Sequence, residues 1–243
     1  HKCAENNINN ITEIKLGYDG IVLANSRNEQ SFSLTKQQIY HALAKTLVID
    51  NKLTANPYKK WSEIDSNLPD TKIEIYGPPP SSGTRDAFIE LVMHKKCSDI
   101  SQFVEQYPDV KVRKKICGAI REDGYYVESG ENDNLIIQKL VNNPRALGIF
   151  GFSFLDQNAG AGQGAIIDAV EPNFDTITYG RYSISRPLYV YAKNDHFNVI
   201  VGLKDFVTAL TSELVIGDEG YLSYRGLIPL TMEQRKLQRE KLL

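Results

Sequence analysis

The sequence predicts an α/β fold, and three observations carry that prediction. Segments rich in Ile, Val and Tyr alternate with segments of helical periodicity along the whole chain. Cap and turn residues separate them. One stretch, Ile73 to Val92, shows a complete strand, turn and helix in succession. Ile73, Ile75 and Tyr76 are strand formers. Gly77 ends the strand, and Pro78, Pro79 and Pro80 hold the chain extended without donating to a ladder. Ser81, Ser82 and Gly83 lead into a helix with Ala87, Phe88, Leu91 and Val92 on its apolar face. Either serine can cap it. The first turn offers hydroxyls, free backbone N–H groups and the positive end of the helix dipole, with Arg85 on the same turn. Those are the parts of an anion site. A nucleotide P-loop fits poorly, because Thr84-Arg85 stands where that motif needs Lys-Ser/Thr.

The other elements follow in order. Ile14 to Asn25 reads as a strand pair or one kinked strand, with Gly17 and Gly20 at bends or close approaches. Thr35 to Gln38 is a capping box, stapled by Leu34, and its helix should run to about Leu47. Trp61 reads as a core anchor in the loop from 56 to 69. Helices are expected over 100–107, 110–120 and 129–143, the last with Leu135, Ile136, Leu140 and Val141 inward. Strands follow at 146–154, 165–170 and 182–192, with Pro187 marking an edge or a crossing. Helices at 199–210 and 214–223 and a solvated amphipathic tail from Thr231 complete the chain.

Composition narrows the function. The chain has 243 residues, 42% of them hydrophobic and 24% charged, which suits a packed globular protein. Its formal net charge of −2 argues against nucleic-acid or membrane-surface binding. No apolar run is long enough to span a membrane. Cys3, Cys97 and Cys117 make an odd count without a Cys-x-x-Cys. His1, His41, His94 and His196 lack metal-ligand spacing, so no metal and no cofactor is expected. A hydrolase using Ser81 or Ser82 would need a base that no elbow motif or nearby His supplies, and no enzyme activity is expected.

Several motifs together point further. Gly77-Pro-Pro-Pro-Ser-Ser-Gly-Thr-Arg-Asp-Ala-Phe, Gly17-Tyr-Asp-Gly-Ile-Val-Leu-Ala-Asn, Glu131-Asn-Asp-Asn-Leu-Ile and Ser185-Arg-Pro-Leu-Tyr-Val-Tyr occur in this order. Together they resemble the periplasmic phosphate-binding proteins of ABC importers, over essentially the whole chain. The resemblance implies two α/β domains joined by hinge strands and closing on one phosphate ion. Domain I would comprise residues 1–19 plus 187–243 and domain II residues 20–186. It also implies a monomer outside the cytoplasmic membrane, in the periplasm, that delivers phosphate to a membrane permease.

The family's Ser-Gly-Thr motif falls on Ser82, Gly83 and Thr84, with Ser81 beside it. Many members carry an Arg where this chain has Pro78, and Arg85 is expected to take its place. Asn132 and Asp133, at the next helix start, are candidates for lining the cleft or orienting Arg85. Their plainer role is a helix cap. Members also begin with a strand and loop, a further Ser and an Asp upstream of Cys3. The resemblance therefore makes domain I incomplete, short by about 80–100 residues. It leaves Cys97 and Cys117 to pair with each other, the alternative being two buried thiols. Sulfate or molybdate is the alternative ligand.

Overall fold

The computed structural model describes residues 2–6, 8–130 and 132–242. The side chain of Cys3 lies outside the described residues. After a short helix α1 (Lys2–Glu5), strand β1 (Ile11–Ser26) runs for 16 residues. Then come β2 (Ser33–Leu34), α2 (Lys36–Leu43), the hairpin β3 (Thr46–Ile49) and β4 (Lys52–Ala55), and α3 (Trp61–Ile64). The prolyl turn follows β5 (Ile75–Gly77). It leads into α4 (Gly83–Phe88), a π-helical turn (Ile89–His94) and α5 (Lys95–Cys97). Next are α6 (Ser101–Gln106), α7 (Val110–Cys117), β6 (Tyr126–Glu128), α8 (Asp133–Asn142), β7 (Leu147–Gly151) and α9 (Phe152–Gln157). The last part holds β8 (Gly162–Gly164), β9 (Ile166–Ile167), α10 (Phe174–Thr178), β10 (Ser185–Lys193), α11 (Leu203–Leu210), α12 (Glu213–Ile216), β11 (Ile228–Pro229) and α13 (Met232–Glu240).

Seven of these strands form one mixed sheet along the path β10-β1-β7-β5-β6, with β8 and β11 also on β1. β1 is a single strand serving two neighbourhoods. Residues Ile11–Gly20 pair antiparallel with β10, and Ile21–Ala24 pair with β7. The register slips between Lys15 and Gly17, where the bulge bends the strand. Gly17 is required there: a Cβ would sit 2.6 Å from the Ile228 carbonyl oxygen. Pro187 lies on the edge strand β10, where a missing N–H does no harm.

Two apolar clusters flank that bulge. The larger gathers the second half of β1, β5, β7 and the helices around them, with Trp61, Phe88, Phe103 and Phe150 at its centre. The smaller consists of Ile14, Leu16, Ala192, Val207 and Ile216, with partly buried neighbours. Beside the smaller one, large apolar side chains stay in water: Val201 is 100% exposed, Leu214 84% and Phe206 61%.

Several boundaries differ from the sequence reading. α2 stops at Leu43 because the Ala44 N–H closes on Tyr40 and the chain turns to meet Ala119, so Leu47 is buried from a strand. In α8 the inward residues are Ile136, Ile137 and Leu140, while Leu135 and Val141 face water. The buried face has nearly the expected centre but is narrower, with Leu135 and Val141 at its two margins in water and Ile137 inside it. The 165–170 strand shrinks to two residues, because Asp168 and Ala169 both take positive φ in a tight turn. The 214–223 helix resolves into α12 and a 3₁₀ turn at Ser223–Arg225.

Cys97 and Cys117 form a disulfide with Cα atoms 5.6 Å apart, joining the end of α5 to the end of α7.

Candidate functional site

The site begins with strand direction. β7, β5 and β6 run parallel, with Ile75 beside both Tyr126 and Leu147. Their carboxyl ends therefore lie along one edge of the sheet, and each opens into a helix: α4 after β5, α8 after β6, α9 after β7. In open α/β sheets that edge is where ligands bind.

The turn after β5 is tied down through its carbonyls, since its prolines have no N–H to give. Tyr126 Oη donates to the Pro78 carbonyl at 2.7 Å, and the Ser82 N–H donates to that of Pro79 at 3.0 Å. Ser82 is the cap, its Oγ accepting from the Thr84 N–H at 3.2 Å. The first main-chain bond of the helix runs from the Asp86 N–H to the Ser82 carbonyl at 3.2 Å. The amides ahead of it belong to the group a helix leaves without internal acceptors. Gly83 is exposed, and a Cβ there would meet nothing within 4 Å, so the loop surface stays open to an ion. Ser81 is also exposed on this turn.

Arg85 sits on the same turn, but its guanidinium is engaged. Nη1 donates to Glu128 Oε1 at 2.7 Å and to the Pro78 carbonyl at 3.3 Å, and the group lies over the Tyr126 ring. Its side chain is only 11% exposed. Glu128 was not legible from the sequence. It is brought there by the β5–β6 register, which sets it beside Gly77. The residue that orients Arg85 is thus Glu128 rather than Asn132 or Asp133.

Asn132 caps α8, its Oδ1 accepting from the Asn134 N–H at 3.0 Å. Asp133 reaches across to the end of β7. Burial pushes its carboxyl above the usual range, and a hydrogen bond from the Gly151 N–H pulls it partly back. In the window between its ordinary and its raised pKa the folded chain binds the extra proton, so this group's contribution to stability falls as pH rises through that window. Asp133→Asn is therefore expected to raise the melting temperature at neutral pH, with the gain shrinking as pH falls toward the ordinary carboxylate range. Thermal melts across that range check it, and an unchanged or lower midpoint at neutral pH would contradict it.

Two recesses carry marked charge, and the second adjoins this edge at Pro80 and Asp86. One of about 510 Å³ lies between α10 and the 218–231 segment, and Asp175, Asp218 and Glu219 give it the wrong sign for an anion. One of about 310 Å³ lies beside Arg85. Among the described residues no group of three His, Cys, Asp or Glu is placed to hold a metal, and no helix is long and apolar enough to cross a membrane.

A family model described as a PBP superfamily domain matches residues 1–213. The chain belongs to the PBP superfamily. Among curated relatives, phosphate-binding protein PstS of Staphylococcus epidermidis is 29% identical over 217 residues, covering 86% of this chain and 53% of the relative. The protein of the same name from Staphylococcus saprophyticus is 27% identical over 237 residues, covering 95% and 61%. The chain thus spans between half and two thirds of the length of these superfamily relatives. Among solved structures, a possible phosphate binding protein from Planctomyces limnophilus superposes with a TM-score of 0.73 at 24% identity, covering 99% of this chain and 74% of that one. An ABC-type phosphate transport receptor from Vibrio cholerae superposes with a TM-score of 0.61 at 19% identity, covering 91% and 74%. These two likenesses establish the PBP fold.

Proposed function

We propose that this chain is the anion-gripping part of a receptor that binds inorganic phosphate outside the cytoplasmic membrane and hands it to the permease of an ABC importer. One observation carries the reading: the helix after the prolyl turn presents Ser82, Gly83 and Thr84 at the carboxyl edge of three parallel strands. The PstS relatives support the choice of ion. In this reading the Ser82 and Thr84 hydroxyls and the leading amides hold the phosphate oxygens, with Ser81 beside them. Arg85 braces the turn through Glu128 and lends its charge at second remove. Asn132 and Asp133, at the neighbouring helix start, line the cleft, and a carboxylate acceptor for the proton that phosphate keeps and sulfate lacks favours phosphate over sulfate or molybdate in the closed site. The protein binds and releases its ligand without chemistry and acts as a monomer.

Two lobes serve this function, residues 1–19 with 187–243 and residues 20–186, hinged where β1 and β10 cross. We read the first lobe as partial in this chain, in keeping with its small cluster and the exposed side chains beside it.

The energetics set the test. Three charge-assisted hydrogen bonds from Ser82, Gly83 and Thr84 supply about 4.5–9 kcal/mol gross. Micromolar binding needs about 8 kcal/mol net of association costs. The second lobe's loop by itself falls short, and a closed pair of lobes does not. Calorimetry should therefore find that this chain binds phosphate weakly, while a full-length relative carrying the same loop binds it tightly and discriminates against sulfate. In that full-length protein the equivalent of Thr84→Val should weaken binding by about tenfold or more through one lost charge-assisted bond. Submicromolar binding by the present chain, or indifference to the Thr84 change, would overturn the assignment.

A further inference from the structure

The recess beside Arg85, which Pro80 and Asp86 of the prolyl turn and α4 also line, gathers three lysines from outside the phosphate loop, with His94 beside them as an imidazole whose pKa burial and the neighbouring Lys114 charge hold below the ordinary value. Lys45 comes from the segment between α2 and β3, His94 from the end of the π-helical turn, and Lys114 and Lys115 from the last turn of α7. The disulfide assembles two of these walls. Cys97 closes the helix that bears His94, and Cys117 closes α7. Gly118 then lets the imidazole lie against the backbone, where a Cβ would come within 2.6 Å of His94 Nε2.

The cations differ in how far they are engaged. Arg85 is bound to Glu128, and Lys45 pairs with Glu122 at 2.8 Å. Among the described residues Lys114 and Lys115 have no carboxylate within ion-pair distance. Two carboxylates line the recess, Asp86 and Glu122, and the second is already taken. The positive charge is local, since the chain as a whole carries −2. Complementing the α7 dipole accounts for one cation in its last turn. It does not account for two adjacent ammonium groups meeting Lys45, Arg85 and His94 around one cavity.

We propose that this recess is a second anion site, for a compact inorganic oligophosphate of which pyrophosphate is the shortest. A volume of about 310 Å³ suits a small molecule rather than a polypeptide or a nucleic acid. The ammonium groups of Lys114 and Lys115, unpaired among the described residues, share one wall, and Lys45 and Arg85 on other walls are already paired, so a ligand of more than one phosphoryl group engages the first two directly and competes with Glu122 and Glu128 for the others. Lysine ammoniums act as point charges on phosphate, so binding is salt-sensitive and geometrically tolerant.

Titration calorimetry of the whole chain with pyrophosphate, at low and at physiological salt, tests the site. Wild type and Thr84→Val should bind alike, and more weakly at the higher salt. Lys114→Gln/Lys115→Gln, two surface changes that leave the core intact, should lower affinity by about tenfold or more. The imidazole signals of His94 should move during the wild-type titration and stay still in the double variant. The proposal is overturned if the folded wild type takes up no pyrophosphate at low salt. It is equally overturned if the lysine changes leave affinity untouched, or if Thr84→Val abolishes binding and so places the ligand on the other loop. Failure of the phosphate-loop reading would leave these results unaffected.

Discussion

Trp61→Ala is expected to remove about 3–5 kcal/mol of stability, the range for deleting a large buried aromatic. Trp61 is fully buried, opens α3, and packs its ring against Phe32 at 5.5 Å. Alanine leaves a cavity between α3, the segment before β2 and the rest of the larger cluster. Trp61→Phe should cost distinctly less, for two reasons. It keeps most of the ring contact, and it deletes an indole N–H that is buried without a hydrogen-bond partner among the described residues. Urea unfolding followed by circular dichroism is the measurement, because the substitution deletes the chain's single tryptophan and its fluorescence. A loss below about 1 kcal/mol for the alanine variant would mean the site collapses or the ring is not a core anchor.

Opening the Cys97–Cys117 bridge is the second large effect. The bond spans 20 positions, and the chain-entropy relation for a loop of that size gives about 3 kcal/mol. Both sulfurs are buried in the larger cluster, so Cys97→Ala/Cys117→Ala also loses some packing. The double variant should unfold at a lower urea midpoint and with a steeper denaturant dependence, since its unfolded chain exposes more surface once the loop is released. Dithiothreitol should shift the wild type toward the variant and leave the variant unmoved. Identical midpoints with and without reductant would mean the bridge contributes nothing. Lys114, Lys115 and His94 are mounted on the two helix ends it joins, so the same reduction should also loosen the pyrophosphate recess.

Local chemistry was what the residues made legible. The capping box at Thr35, the prolyl turn, the Ser82 cap and the buried Trp61 all depend on neighbours a few positions away, and each stands where the pattern put it. What could not be read was pairing between distant segments. Nothing near Glu128 announces that it lies beside Gly77 and reaches Arg85, 43 positions away. Nothing in Ile14 to Asn25 chooses between two strands and one. The choice is made by β10, β7 and β8, which supply partners along its whole length. The α8 face was misjudged for a related reason. Leu135, Ile136, Ile137, Leu140 and Val141 cover more than half the helix circumference, and only the position of the sheet decides which of them is inward.

The long first strand has a consequence for how the chain is made. The main partner of its opening half is β10, joined at Gly17 and Tyr18 by the still later β11, and Thr12 bonds to Asn194 just past β10, across 182 positions. At a synthesis rate of about 5–20 residues per second, that partner leaves the ribosome on the order of ten seconds or more after β1 does. Through that interval Ile14 and Leu16 have no ladder to join. The nascent chain thus offers an unpaired apolar segment to whatever holds it, and contacts of such long range make this ladder a slow, late event in folding.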